Sequence, residues 1–264
     1  MHKQLQQTVN ARYHELDPHN RVRLTVILAW LQEVGAEHAL QLGVGLKHLR
    51  KRGLTWVLSR LSIELLRPII GTEPVTVTTW PVTRDGFFSI RDFLLTDQQG
   101  QTIGRATSSW AALDLRTRRP VVINEHLPDY PLHLQRALVD PFATLPLLEE
   151  CQTGLELPVL RADLDMNNHV NNTIYAGWAL EAVPEELIKR AVPVLIEIGF
   201  RAEAVYGDNI RSCCAPTPED PAILIHRIES VEGNRELCRL RTTWKDLVPI
   251  PSQGSIFVGS SLTP

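Results

Sequence analysis

Asp163-Leu-Asp165-Met-Asn167-Asn168-His169-Val170-Asn171-Asn172 runs straight into an apolar helical pattern at Ile174, Tyr175 and Trp178. The stretch holds two carboxylates, four amides and one imidazole, and no other segment gathers so many groups able to move protons. It also occurs twice. A shift of 148 positions sets Glu15-Leu-Asp17 against Asp163-Leu-Asp165, Asn20 against Asn168 and Val22 against Val170. The same shift pairs Thr25 with Thr173, Trp30 with Trp178 and Glu33 with Glu181. Two helices therefore start in the same context and bury the same face, which predicts a duplicated unit.

Working outward, Leu24, Leu28, Leu31, Gly35 and Leu42 keep close to a 3.6-residue spacing, so the first copy continues as a long helix. Gly43 and Gly45 close it. A strand is expected over 8–14, before the Asp17-Pro18-His19-Asn20 turn. From Leu54 the period changes to alternation, and four antiparallel strands follow, with Gly71-Thr-Glu-Pro, Arg84-Asp85-Gly86 and Asp97-Gln-Gln-Gly100 as turns. Residues 118–157 are proline-punctuated and read as a connector. Then the pattern returns: a helix from about Val170 to Lys189, strands at 194–205, 210–214, 222–231 and 236–244, and a loose tail from Pro249. The class is α+β, with a unit at 1–117, a linker at 118–157 and a second unit at 158–264. Two such sheets placed side by side would cover one edge each.

The 264 residues are 44% hydrophobic and 22% charged, with a formal net charge of −3. That composition suits a globular domain with a sizeable core and excludes a bulk electrostatic affinity for nucleic acid. No run of about 20 apolar residues is present to span a bilayer, and the first residues show no apolar leader segment. Cys151, Cys213, Cys214 and Cys238 fit neither a zinc pattern nor a secreted disulfide framework, and are expected to be reduced, buried and cytoplasmic.

The copies differ where chemistry is concerned. Asn167 and His169 in the second copy face His19 and Arg21 in the first. Counting back from the paired glycines Gly71 and Gly207, Glu203 lies opposite Arg67. If residues 165–169 are extended, Asp165, Asn167 and His169 share one face, and the following helix start adds N–H donors and its positive dipole end. A carboxylate, an imidazole and oxyanion donors are the parts of an acyl hydrolase. Capping and turn chemistry is an equally good account of the asparagines. A calcium loop fails, because Asn168 stands where its glycine should be and Ile174 where its last glutamate should be. Alternation puts Arg201 beside Glu203, as a surface ion pair would, and these residues alone do not favour Glu203 over Asp208.

The stretch 163–172 with Tyr175-Ala-Gly-Trp178-Ala-Leu-Glu181 resembles the signature of plant and bacterial acyl-ACP thioesterases. So do Trp56-Val-Leu-Ser-Arg60, Arg105-Ala-Thr-Ser-Ser-Trp110, Thr117-Arg-Arg-Pro120 and Phe200-Arg-Ala-Glu203, a similarity reaching over roughly residues 10–245. The resemblance implies a tandem pair of hot-dog domains, with the acyl chain held mainly by the first. It implies hydrolysis of fatty acyl-ACP without metal or diffusible cofactor. By position it makes Asp165, Asn167, His169 and Glu203 catalytic, with either Glu203 or Asp165 as base or nucleophile. The family often carries Cys after that Glu; here the residue is Ala204, which favours acid–base hydrolysis. Acyl carrier protein is the implied partner, and Lys47, Arg50, Lys51, Arg52, Arg118 and Arg119 are candidate contacts for it. A homodimer is open to such a chain; nucleic acid and stable membrane insertion are not expected. Hydrolysis of acyl-CoA, or acyl binding without turnover, are the competing readings.

Overall fold

The computed structural model describes residues 3–233 and 235–247. In chain order the elements are β1 (Leu5–Val9), α1 (Leu24–Gln41), α2 (Leu46–Arg50), β2 (Leu54–Leu65), β3 (Val75–Asp85), β4 (Phe88–Thr96), β5 (Thr102–Asp114) and α3 (Ile123–His126). The second half continues with β6 (Thr153–Pro158), α4 (Asn172–Glu181), α5 (Glu185–Arg190), β7 (Ala191–Phe200), β8 (Asn209–Pro216), β9 (Ile223–Ser230) and β10 (Glu236–Asp246). All ten strands form one antiparallel sheet in the order β1-β3-β4-β5-β2-β7-β10-β9-β8-β6. Read from either end, the order is the same with each strand replaced by its duplicate. This is the tandem double hot-dog: two sheets fused edge to edge through β2 and β7, each curled around its own long helix.

The apolar stripe on α1 makes the first core. Leu24, Leu28 and Leu31 are buried and pack with Ile63, Val77 and Leu95 from the sheet. Tyr175, Ala176 and Ala179 of α4 do the same against Ile196, Ile228 and Leu240, and both sets belong to one continuous cluster. The two helices meet where Gly177 lies under Thr25: a Cβ on that glycine would stand 3.2 Å from the Thr25 methyl. The absence of a side chain there permits the close crossing.

Several boundaries depart from expectation. The second helix is cut in two because Pro184 lacks an N–H and disfavours helix at the residue before it. The first strand is Leu5–Val9, with a 3-10 turn at Tyr13–Glu15 where strand was expected. The stretch 118–157 is not all connector, since β6 begins at Thr153 and pairs with β8. β7 stops at Phe200 rather than continuing to Val205. The tail from Pro249 and Asn234 of the Glu232-Gly233-Asn234 turn lie outside the described residues.

The cysteines also differ. Cys151 and Cys213 form a disulfide, while Cys214 and Cys238 are free and buried. Adjacent strand residues point to opposite faces. Cys213 therefore meets the connector, and Cys214 turns inward so that its Sγ donates to the Ala182 carbonyl at 3.0 Å. Closing a sequence separation of 62 constrains the unfolded chain by about 4 kcal/mol in the chain-entropy picture.

His226 is wholly buried on β9, with Nε2 2.8 Å from Thr242 Oγ1. Burial pushes its pKa from 6.5 down to about 4. The unfolded chain thus takes a proton at a pH where the folded chain does not, so stability is full above about pH 6.5 and falls as pH drops toward about 4. His226→Gln should lose the hydrogen bond at all pH but escape this penalty. Urea unfolding at about pH 7 and about pH 4.5 should show the wild type's advantage over the variant shrinking by roughly 2–3 kcal/mol.

Candidate active site

The quoted stretch folds as a tight loop, not an extended strand. A 3-10 turn at Arg161–Asp163 leads in, and Leu164 bridges to Val170. Inside, the Asp165 N–H donates to the His169 carbonyl at 2.7 Å and the Asn168 N–H to the Asp165 carbonyl at 3.0 Å. Asn168 sits at φ 61°, in the left-handed region that asparagine tolerates better than most residues. Asp165, Asn167 and His169 do come together, but a carboxylate-centred turn does it. Asp165 Oδ1 accepts the N–H groups of Asn167 (2.7 Å) and His169 (3.3 Å), and Oδ2 accepts from Asn167 Nδ2 at 3.1 Å. The asparagine-cap account holds at Asn171, one of the asparagines open to it: its Oδ1 caps α4 by accepting from the Thr173 N–H at 3.0 Å.

The first copy of the loop is the same object. Asp17 donates to the Arg21 carbonyl at 2.7 Å, Asn20 donates to the Asp17 carbonyl at 3.0 Å, and Asn20 also has φ 61°. Asp17 Oδ1 accepts from the N–H groups of His19 and Arg21, both at 2.8 Å. The Val170 N–H reaches the Ala204 carbonyl as the Val22 N–H reaches the Ile69 carbonyl. That equivalence moves the expected pairing by one residue: Pro68, not Arg67, is the counterpart of Glu203.

Glu203 arrives from the other side. Past the end of β7, the N–H groups of Arg201 and Ala202 both donate to the Leu237 carbonyl, at 2.9 and 3.1 Å. Two residues opposite one is a bulge, and it breaks the alternation expected to set Arg201 beside Glu203. Arg201 Nε turns to Glu236 at 3.1 Å, whereas Glu203 Oε1 lies 3.5 Å from His169 Nδ1. The side chains of His169 and Glu203 stay 31% and 38% exposed, so a substrate can reach both. Ala204 cannot be reached. It is 0% exposed, and its N–H donates to the buried Tyr175 hydroxyl at 3.1 Å. Nor does a thiol offer itself, since burial pushes the pKa values of Cys214 and Cys238 up.

Two arginines from the first unit complete the cluster. Arg50, at the end of α2, donates to Asn167 Oδ1 at 2.5 Å, and Arg118 Nη2 pairs with Glu203 Oε2. Arg118 is set by the turn after β5, where Asp114 Oδ1 accepts the N–H groups of Thr117 (2.7 Å) and Arg116 (2.9 Å). Those bonds hold the Asp114 carboxyl below its ordinary pKa. Among the candidate partner-protein contacts, these two therefore bind the site itself. Nothing local in the sequence shows this; only the Thr117-Arg-Arg-Pro120 motif hinted that the turn mattered. Lys47, Lys51, Arg52 and Arg119 remain exposed on the same rim, joined where the Leu115 N–H donates to the Gly53 carbonyl at 2.8 Å.

Beside the loop, a small apolar space of about 20 Å³ lies among Asn172 and Thr173 of α4 and Leu28, Leu31, Phe93 and Trp110 of the first unit. The family model for the acyl-ACP thioesterase N-terminal domain matches residues 2–130, and that for the C-terminal domain matches residues 148–246. The chain belongs to the acyl-ACP thioesterase family. A chloroplastic oleoyl-acyl carrier protein thioesterase of Arabidopsis thaliana is 30% identical over 230 residues, 79% of this chain and 62% of that protein. A second Arabidopsis thaliana family member is also 30% identical, over 84% of this chain and 65% of its own length. The chain thus spans less than two thirds of these curated relatives. The crystal structure of an acyl-ACP thioesterase from Bacteroides thetaiotaomicron has a TM-score of 0.83 at 26% identity, covering 92% of this chain and 98% of that one. The 12:0-ACP thioesterase from Umbellularia californica shares the fold, with a TM-score of 0.81 at 24% identity over 94% and 99% of the two chains.

The left-handed position makes a test of the loop. Asn168→Gly should leave stability within about 0.5 kcal/mol, whereas Asn168→Val should cost about 1–2 kcal/mol, since a branched side chain clashes at positive φ. Chemical unfolding of both variants measures it, and Asn20 should respond in the same way.

Proposed function

We propose that this protein hydrolyses fatty acyl-ACP thioesters to free fatty acid and carrier protein. The observation that carries the reading is the contact of His169 with Glu203, with Arg118 on the same carboxylate and both side chains open to solvent. The family membership and the activities for which the relatives are named support it. The acyl chain enters between α1 and the sheet of the first unit, where the space of about 20 Å³ among Leu28, Leu31, Phe93 and Trp110 has to widen to take it, and its carbonyl lies beside the loop of Asp165. Glu203 takes a proton from water, and the resulting hydroxide attacks the thioester carbon. The second N–H of the Asn167 amide faces the developing oxyanion. His169 delivers a proton to the departing thiolate, so that water and thioester leave as acid and thiol. Asp165 is a positioning residue here: both of its oxygens are already spent on the loop's own N–H groups. The unit at 1–117 is assigned to acyl binding, that at 158–264 to catalysis, and the stretch between them to linking the two.

The basic rim formed by Lys47, Lys51, Arg52 and Arg119 suits an acidic carrier protein; the phosphates of CoA would meet the same charges, so the choice of acyl-ACP rests on the family. The cytoplasmic location and the homodimer belong to this proposal too; the curated plant relatives are chloroplastic by name. Among the described residues, no helix is long and apolar enough to cross a membrane.

The test is hydrolysis of an acyl-ACP series, with acyl-CoA alongside. Glu203→Gln and His169→Ala should each lose roughly 10²–10⁴-fold in kcat. Asp165→Asn, which keeps one acceptor oxygen, should lose markedly less. A loss at Asp165→Asn equal to that at Glu203→Gln would make Asp165 the base. Wild type no faster than Glu203→Gln on every substrate would end the hydrolase reading.

A further inference from the structure

The two-fold relation between the units leaves a second cavity, at the other end of the helix pair. The small space beside the active-site loop touches Gln32 of α1 and Asn172 and Thr173 of α4. The 148-residue shift carries these to Leu180, Leu24 and Thr25, and all three line a separate cavity of about 670 Å³. That volume lies within the roughly 300–1,000 Å³ typical of small-molecule sites. Its walls are apolar, built by Leu24, Ile27, Leu65, Leu180, Val183 and Trp244. Its mouth is the duplicate loop, with Asp17 and Arg21 where the active site has Asp165 and His169.

This loop has kept the geometry of its twin and exchanged its chemistry. Pro68 replaces the carboxylate of Glu203, and Arg21 replaces an imidazole with a fixed cation. Arg21 Nε pairs with Asp17 Oδ2 at 2.6 Å, and its Nη1 is enclosed by protein without a hydrogen-bond partner, so a carboxylate meets that N–H once the guanidinium turns toward the cavity it lines. An unmet buried donor is costly, and a guanidinium meets carboxylates through two N–H groups at once. Asp17 cannot supply the second contact, because its other oxygen is taken by two backbone N–H groups. Arg67, also on the wall, is already bound to Glu73 at 2.7 Å and near Asp97 at 3.5 Å. Arg23 lines the cavity as well, and the carboxylates of Glu181 and Glu185 sit exposed on the α4–α5 side.

We propose that this cavity is a second, non-catalytic site for a long-chain carboxylate, with the head on Arg21 and the tail between α1 and α4. The ligand class is the product of the hydrolysis proposed above, and to that extent the assignment rests on that reading. Binding itself requires no turnover.

The experiment titrates the full chain with [1-¹³C]hexadecanoate, following the bound carboxylate by NMR and the stoichiometry by calorimetry. Wild type should take two equivalents with two bound resonances. Arg21→Gln should weaken one of them by roughly tenfold or more, while Glu203→Gln should leave that one in place. Ile188→Trp, which narrows the cavity without touching the loop, should remove the same equivalent if Arg21→Gln proves unstable. Methyl hexadecanoate, lacking the charge, should fill the catalytic site only. A single equivalent in wild type, or a second one indifferent to both Arg21→Gln and Ile188→Trp, would overturn the proposal. Acyl-ACP hydrolysis measured on the same samples separates the two readings. Turnover without a second equivalent sinks this site alone, and a second equivalent without turnover sinks only the hydrolase reading.

Discussion

The pairing of β2 with β7 is the constraint on which everything else rests. Five residues of each strand are in register, from Arg60 opposite Gly199 to Glu64 opposite Leu195. The Arg60 guanidinium lies over Gly199, where a Cβ would stand 3.2 Å from it. The pairing removes one free edge from each sheet and brings α1 and α4 into contact. It also decides what lies where. Because the strands are antiparallel, the continuation of β7 toward Glu203 runs past the start of β2, next to α2 and the turn after β5. Arg50 and Arg118 belong to those two elements, so the first unit reaches into the loop of the second. At the opposite end of the same pair, Leu65 and Arg67 meet Val192 and Val194 around the larger cavity. One strand contact thus sets up two sites related by a two-fold axis.

What distinguishes the two ends is side-chain chemistry on a shared backbone. Both loops have the same hydrogen bonds and the same left-handed asparagine, at φ 61°. A carboxylate that accepts its neighbours' N–H groups holds each one. Such a loop is stiff before any ligand arrives, which is the condition for placing a reacting group with little reorganisation. Substitution at three positions then changes the outcome. One end carries Asn167, His169 and Glu203, the set proposed above to move protons; the other carries His19, Arg21 and Pro68, with a fixed cation at the position of His169 and no carboxylate opposite it.

Legibility from sequence follows how local each feature is. The paired loops were readable because Asp17 and Asp165, with Asn20 and Asn168, act within a few residues of themselves. Both helices were readable from their buried stripes, and the break at Pro184 could have been, had the proline been weighted over the apolar pattern. Glu203 was not readable from physics alone. Its direction depends on a bulge against Leu237 on a strand that comes later in the chain, and simple alternation gave the wrong neighbour. Arg50 and Arg118 depend on the β2–β7 contact, which no short window contains. The Cys151–Cys213 bond failed for the same reason: one partner lies in a segment with no periodicity to place it. The resemblance to known thioesterases supplied Glu203 where local reasoning could not.

The arginine at Glu203 shows how far the site departs from what stability alone would select. An ion pair this exposed contributes about 0–1 kcal/mol, and salt weakens it further. Arg118 is held at φ 58°, in a left-handed conformation that costs a non-glycine residue about 1–2 kcal/mol. The two nearly cancel, or the balance is unfavourable, so the fold gains nothing from aiming this cation at Glu203. What the contact does is geometric: Arg118 on Oε2 and His169 beside Oε1 hold the Glu203 carboxylate in one orientation, which on the hydrolase reading proposed above is the orientation the reaction uses. On this account the strained turn after β5 is maintained for the chemistry at the end of β7, and the second unit's site is incomplete without the first.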